Sequence, residues 1–450
     1  MKGKRIRKLL AIILVLCFAL SLGACGTTKN EPDVTSTTPA ASDSSTTAES
    51  GAKPAELSGE IDALLWLSSY PQAVDTIMAG FKEKYPNIKV NIQMMSGNST
   101  SENLEPRIAA GQMPDVCSVD IGEWYYTNAD KGYFQDLSGT QAWENQLDSI
   151  KSQWTSPKGV KYGVSYGVAA MFMFYNKDLF DKAGITKIPE NWEEFLATCE
   201  TLKKAGITPL SWPGGFANMF GNTFISSGIA NNIYANNQDL VQKTLYADYD
   251  YGTPEWIDIF QKNVDLVSKG YVNKGYMSTD FAESVRLFSA GEVAMTFQGS
   301  WSCGDLLTSD NIDMFIPPWN AKGTQIVGNM AGETGFGMGK SDNVNPELAK
   351  AFFEFVAFEN YANFQNVTGT IPIYPASAVS GTKVDARLQA AVEKLTALPL
   401  NSPLAFQVLP GAIDAAMMQF GQDVLTGSKK PADLGSVMNP IQKQYIASRK

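Results

Sequence analysis

Histidine is absent from the 450 residues. Without imidazole, Ser-His-Asp and Cys-His catalysis, HExxH zinc chemistry and the ordinary neutral-pH base all fall away. Cysteine is scarce. Of five, Cys17 and Cys25 lie near the N-terminus, leaving Cys117, Cys199 and Cys303. Three scattered thiols form no disulfide framework, although one pair could still bond, and they are too far apart for a local zinc cluster. They read instead as small buried apolar residues. Basic side chains are outnumbered, 36 against 46 acidic, for a formal charge of -10. Five of them (Lys2, Lys4, Arg5, Arg7, Lys8) crowd the first eight positions, so the remainder is more acidic still. An acidic chain without a long basic run argues against nucleic acid and against direct adhesion to anionic lipid. No apolar run beyond the N-terminus approaches the roughly 20 residues that a membrane span requires.

Two patterns with chemical overtones also fall short. The run GETGFGMGK, with Gly332, Gly335, Gly337 and Gly339, fits neither GxGxxG nor GxxxxGK[ST] and reads as close packing at a strand start. Paired carboxylates could serve a glycosidase, but Glu193-Glu194 and Asp178/Asp181 are better explained as helix starts and solvated faces. The chain is therefore expected to be no enzyme and to carry no metal and no cofactor.

The N-terminus is more informative. Basic MKGKRIRK precedes an apolar stretch from Leu9 to Leu22, and Leu-Gly-Ala-Cys follows, ending at Cys25. A basic start, a short apolar run and small residues before a cleavage point make a secretory signal peptide over 1–24. The ending resembles a bacterial lipobox, which implies lipidation of Cys25 and attachment to the outer face of the cell membrane. Residues 25–58 are dominated by Ser, Thr, Ala and Pro with almost no large apolar side chain. Such a segment cannot offset its ordering entropy by burial and is expected to be a flexible tether. The body then begins near Gly59. Its length, about 390 residues, exceeds what one core supports, so two lobes are expected.

Within the body, strands and helices alternate. EIDALLWLSS reads as a strand. In AVDTIMAGFKEKYP, Val74, Ile77, Met78 and Phe81 fall at helical spacing before Pro86. NIKVNIQMM alternates Ile88, Val90, Ile92 and Met94 as a half-buried strand, and VCSVDIG is another strand. This order predicts an α/β fold with mostly parallel sheets flanked by helices, whose ligands bind beyond the carboxyl ends of the strands. The loops at those ends hold Ser69 and Tyr70, Asp120 and Trp124, and the neighbourhood of Trp301. Trp301 follows the apolar strand 293–297 in TFQGSW, between small residues. It is either a plug for the core or a platform for a ligand.

Six blocks follow one another in order: FKEKYPNIKVNI, IAAGQMPDVCSVD, GVKYGVSYGVAAMFMFYNKDLFDKAGI, PENWEEFLATCETLKKAGI, FSAGEVAMTFQGSW and KSDNVNPELAKAFFEFV. Together they resemble the extracellular sugar-binding proteins of ABC transporters, the group related to maltose-binding protein. The resemblance runs from about Glu60 to the C-terminus. It implies a type II periplasmic-binding-protein-like fold, with a first lobe of 59–168 plus 329–378 and a second of 169–328 plus 379–450. The lobes are joined by crossing strands near 166–171 and 316–328 and enclose the ligand by hinge closure. The implied function is capture of an oligosaccharide and its delivery to the permease by a monomeric receptor.

The same resemblance implies the site. Trp301 would stack on a sugar ring, whose C–H faces suit an aromatic surface while its hydroxyl rim suits carboxylates and amides. Asp120 would accept sugar hydroxyls, with helix capping as its alternative, and Trp124 would stack or pack its own helix. Tyr70, beside Ser69, lies in a loop that touches ligand in this group, and Tyr166 lies at the first crossing. Trp212 and Phe216 occupy a second-lobe loop where relatives place aromatics. Glu333 is a charged residue among small ones after the second crossing. Asn98 beside Gly97 is also ordinary turn chemistry. Other readings remain: a non-sugar solute such as a peptide or a polyol phosphate, a receptor feeding a sensor, or a secreted glycoside hydrolase.

Overall fold

The computed structural model describes residues 57–449 apart from Ser69 and Asn98. The expectations for the signal peptide, for Cys25 and for most of the tether lie outside the described residues.

The strands, in chain order, are β1 (Gly59–Leu65), β2 (Ile88–Met94), β3 (Val116–Val119), β4 (Val164–Ser165), β5 (Val168–Asn176), β6 (Thr208–Ser211), β7 (Val293–Gly299), β8 (Ile312–Phe315), β9 (Gly328–Gly332), β10 (Gly335–Met338) and β11 (Asn401–Ser402). They form two sheets. The first is ordered β2-β1-β3-β10-β4 and the second β11-β9-β5-β7-β6, with β8 paired to β5.

In the first sheet β1 pairs in parallel with β2 and with β3 through helices α1 (Pro71–Lys84) and α2 (Thr100–Ala110). Helix α1 starts on a proline, whose fixed φ suits a first turn, and it buries Ala73, Ile77 and Phe81. Both sheets are mixed, against the mostly parallel sheets that the strand-helix order predicts. The chain leaves one sheet and returns running the other way, so β10 is antiparallel to β3 and β4, and β5 is antiparallel to β7, β8 and β9. Strand β2 lies at a sheet edge, and Met94 at its end is 40% exposed rather than half-buried.

The continuous apolar run of β5 follows from coverage on both faces. Met171 and Met173 enter one core with Trp212, Phe224 and Trp319, while Ala170, Phe172 and Phe174 enter another with Phe288 and Leu388. The first sheet has its own core, with Phe81, Trp154 and Phe352. The glycine-rich run packs closely: a Cβ on Gly335 would lie 2.3 Å from the Val164 carbonyl oxygen, and one on Gly339 would lie 2.2 Å from that of Pro114.

The chain passes between the sheets at 166–167 and again at 333–334, side by side. Tyr166 N donates to Thr334 O at 2.8 Å and Glu333 N donates to Gly167 O at 3.0 Å. The Ser165 hydroxyl, buried between them, donates to both Gly167 O and Glu333 O. Residues 328–332 thus hydrogen-bond into the second sheet and residues 335–338 into the first.

Candidate functional site

Loops after the carboxyl ends of β1, β2, β3, β6 and β7 converge on one cleft, as expected for ligand sites of open α/β sheets. It holds two adjoining cavities, of about 270 Å³ and about 400 Å³. Trp66, Asn218, Asn222, Thr334 and Phe406 line both, so the cavities are continuous.

In the smaller cavity Asp120 directly follows β3. Its carboxylate accepts from the Thr100 hydroxyl at 2.6 Å and from the Thr334 hydroxyl at 2.5 Å. Burial raises its pKa, and these hydroxyls oppose that rise. Thr100 is the first residue of α2, held there by the Ser99 side chain, which accepts from Glu102 N as an N-cap. Trp124, on the helix Glu123–Asp130, lines the same cavity and meets Tyr125 edge-on at 4.9 Å. Asp414, on the helix Gly411–Leu425, completes the wall, and burial pushes its carboxyl up to about 7.

Tyr70, Tyr166, Phe216, Trp301 and Glu333 line the larger cavity. Trp301 sits in the turn Ser300–Ser302 just after β7. Its indole folds back over Gly299, where a Cβ would lie 2.3 Å from Cζ3. The small residue ahead of the tryptophan therefore gives the ring its seat. Tyr166 is buried, its hydroxyl bonded to that of Ser118, which in turn accepts from Trp66 N at 2.7 Å. Glu333 is 9% exposed, and its Oε2 is buried without a hydrogen-bond partner. Burial first, and the charge of Asp120 second, push its carboxyl up to about 8. Among the described residues, neither cavity is lined by a lysine or an arginine. At the rim, Glu123 accepts from Arg449 at 2.9 Å.

Of the residues the sequence nominated, seven come together: Asp120 and Trp124 in one cavity, Tyr70, Tyr166, Phe216, Trp301 and Glu333 in the other. Trp212 does not join them. It is 1% exposed and stacks on Phe224 with ring centroids 4.0 Å apart. The loop after it is pinned, since Gly214 N donates to Tyr276 O and Gly215 N to Thr279 O. This turns the indole inward. Ser69 and Asn98 lie outside the described residues. The sequence reading missed Trp66, Thr334, Asn218, Asn222, Phe406 and Asp414. For Trp66 a signal existed, because it directly follows β1 at the same mouth as Tyr70.

The family model for bacterial extracellular solute-binding proteins matches residues 67–362. Among curated relatives, the sn-glycerol-3-phosphate-binding periplasmic protein UgpB of Brucella abortus (strain 2308) is 27% identical over 250 residues, 54% of this chain and 51% of that protein. The multiple sugar-binding protein of Streptococcus mutans serotype c is 25% identical over 238 residues, 50% of this chain and 53% of that protein. The match spans about half the length of these relatives. Among solved structures, a chitin oligosaccharide binding protein aligns with a TM-score of 0.74 at 20% identity, covering 87% of this chain and 99% of its own. RafE in complex with raffinose aligns at 0.70 and 23%, covering 86% and 100%. At these identities the structural likeness is one of fold.

Proposed function

The chain belongs to the bacterial extracellular solute-binding proteins and has the two-lobed type II periplasmic-binding-protein fold, and from that premise we propose that it is the receptor of an ABC importer for an oligosaccharide. The lobes are built around the two sheets and close on the ligand about the paired crossings at 166–167 and 333–334. The protein works as a monomer and hands its ligand to the permease. It is held at the outer face of the cell membrane by a lipid on Cys25 and the tether that follows.

One observation carries the choice of ligand. The cleft walls combine the rings of Trp66, Trp124 and Trp301 with hydroxyls, amides and carboxyls, and include no cationic side chain among the described residues. Sugar rings offer apolar faces to the former and hydroxyls to the latter. A phosphate ester would instead call for arginine, lysine or a ring of free amides, so the glycerol-phosphate specificity of one relative is not carried over. Two adjoining cavities sharing Trp66 as a wall suit a ligand of more than one ring. Binding and closure require no bond-making, consistent with a chain lacking histidine.

A thermal-shift screen of mono- and oligosaccharides tests the reading. A ligand at 100 times its Kd stabilises the folded state by about 2.7 kcal/mol, so one sugar class should stand out. Silence across a broad panel with cooperative melting intact would reject the carbohydrate assignment. For the anchor, palmitate labelling in a bacterial host should be lost in Cys25→Ser.

A further inference from the structure

Among the described residues, the two cavities are lined by six carboxyl side chains and by no lysine or arginine. Some are satisfied within the protein. Glu123 is paired with Arg449, and Asp120 accepts from two threonine hydroxyls. Asp305, Asp414 and Glu333 make no side-chain hydrogen bond or ion pair among the described residues. Glu333 is the decisive one. Its backbone is fixed on both sides, donating to Gly167 O and accepting from the Ser165 hydroxyl at 2.8 Å. Its Oε2 stays buried in the wall of the larger cavity with nothing to bond.

Burying an unpartnered carboxyl is costly unless a ligand supplies what is missing. A neutral sugar hydroxyl supplies a hydrogen bond of ordinary strength. An ammonium group that draws the carboxyl into its ionised form supplies the stronger, charge-assisted one. We propose, within the carbohydrate reading above and resting on it, that the ligand carries a protonated amine, an amino-sugar unit, seated against Glu333 in the larger cavity and drawn in past Asp305 at its mouth. The carboxyl is held largely protonated near neutrality by burial. An arriving ammonium favours the ionised form, so binding sends the Glu333 proton to solvent while the amine keeps its own.

The test compares glucosamine oligosaccharides with their N-acetylated counterparts of equal length, by calorimetry on the whole protein. A pH of about 6 keeps the amine charged, being well below the range of an α-amino group. Acetylation removes the charge and leaves the ring. The amine form is expected to bind about tenfold more tightly or better, the value of one charge-assisted hydrogen bond. Repeating the titration in buffers of different ionisation enthalpy should show protons released. Glu333→Gln should collapse the preference and abolish the release. Asp305→Asn, at an exposed position, should reduce the preference in a chain whose fold is not at risk. Equal or tighter binding of the acetylated sugars would overturn the amine while leaving the carbohydrate receptor standing. If neither series bound while another sugar did, the amino-sugar assignment would fall and the carbohydrate receptor would stand. A preference untouched by either variant would remove it from these carboxyls and overturn the assignment.

Discussion

The phenol of Tyr70 donates a hydrogen bond to the backbone oxygen of Trp301 at 3.0 Å. The first residue follows β1 of one sheet and the second follows β7 of the other, so the bond ties the two lobes together across the mouth of the larger cavity. It can form only when the loops are close. A hydrogen bond of this kind contributes about 0.5–1.5 kcal/mol. In Tyr70→Phe the ligand is therefore expected to leave a few-fold to about tenfold faster, since interface changes act mainly on dissociation. Stopped-flow release of bound sugar measures this. An unchanged rate would mean that the bond persists when the ligand departs.

Gly299 and Trp301 make a second pair. A methyl group on Gly299 would stand 2.3 to 2.5 Å from three atoms of the indole, so Gly299→Ala must push the ring off its seat. Because β7 is otherwise unaltered, affinity should fall nearly as far as in Trp301→Ala while the protein still melts cooperatively. Ligand titration with parallel circular-dichroism melts decides the matter. Full affinity in Gly299→Ala would show that the ring's position over the glycine does not matter for binding.

The two tryptophans that follow strands of the second sheet should respond in opposite ways. Trp212→Ala leaves a cavity beside Phe224 and is expected to cost about 3–5 kcal/mol of stability, with little change in affinity for the protein that remains folded. Trp301→Ala removes a partly exposed ring from the cavity wall, so it should cost little stability and most of the affinity. Chemical denaturation and calorimetry on both variants separate the effects. A reversal would exchange their roles.

Those two residues also mark how far the sequence could be read. Asp120, Tyr70 and Trp301 line the cleft as the strand order predicts, because short loops after apolar strands open at one end of a sheet. Trp212 obeys the same local rule and still turns inward. What pins its loop, the backbone of Tyr276 and Thr279, lies some sixty positions away and leaves no periodic trace. Phe406 and Asp414 reach the cleft from the C-terminal region, with no strand-helix alternation to announce them. The mixed pairing of the sheets was hidden for a related reason: an apolar run such as β5 shows that both its faces are covered, but not which way its neighbours run.

Glu333 should leave its mark on the pH dependence of folding. Its carboxyl is pushed from an ordinary 4.5 up to about 8 by burial and by Asp120. Below 4.5 the folded and unfolded chains both hold the proton. Between 4.5 and 8 the unfolded chain has lost it while the folded chain keeps it, so this residue's contribution to stability falls as the pH rises through that window. Above 8 both forms are ionised and the loss stops. The full effect is on the order of a few kcal/mol. Asp414, raised to about 7, acts in the same direction over a lower window, so the parent protein alone cannot isolate Glu333. Glu333→Gln can, because glutamine does not titrate. Urea unfolding at intervals from about pH 5 to about pH 8 should find the variant gaining on the parent as the pH rises. Parallel profiles would mean that Glu333 ionises in the folded protein near its ordinary value, finding in the cleft a partner or a solvent path that stabilises its charge.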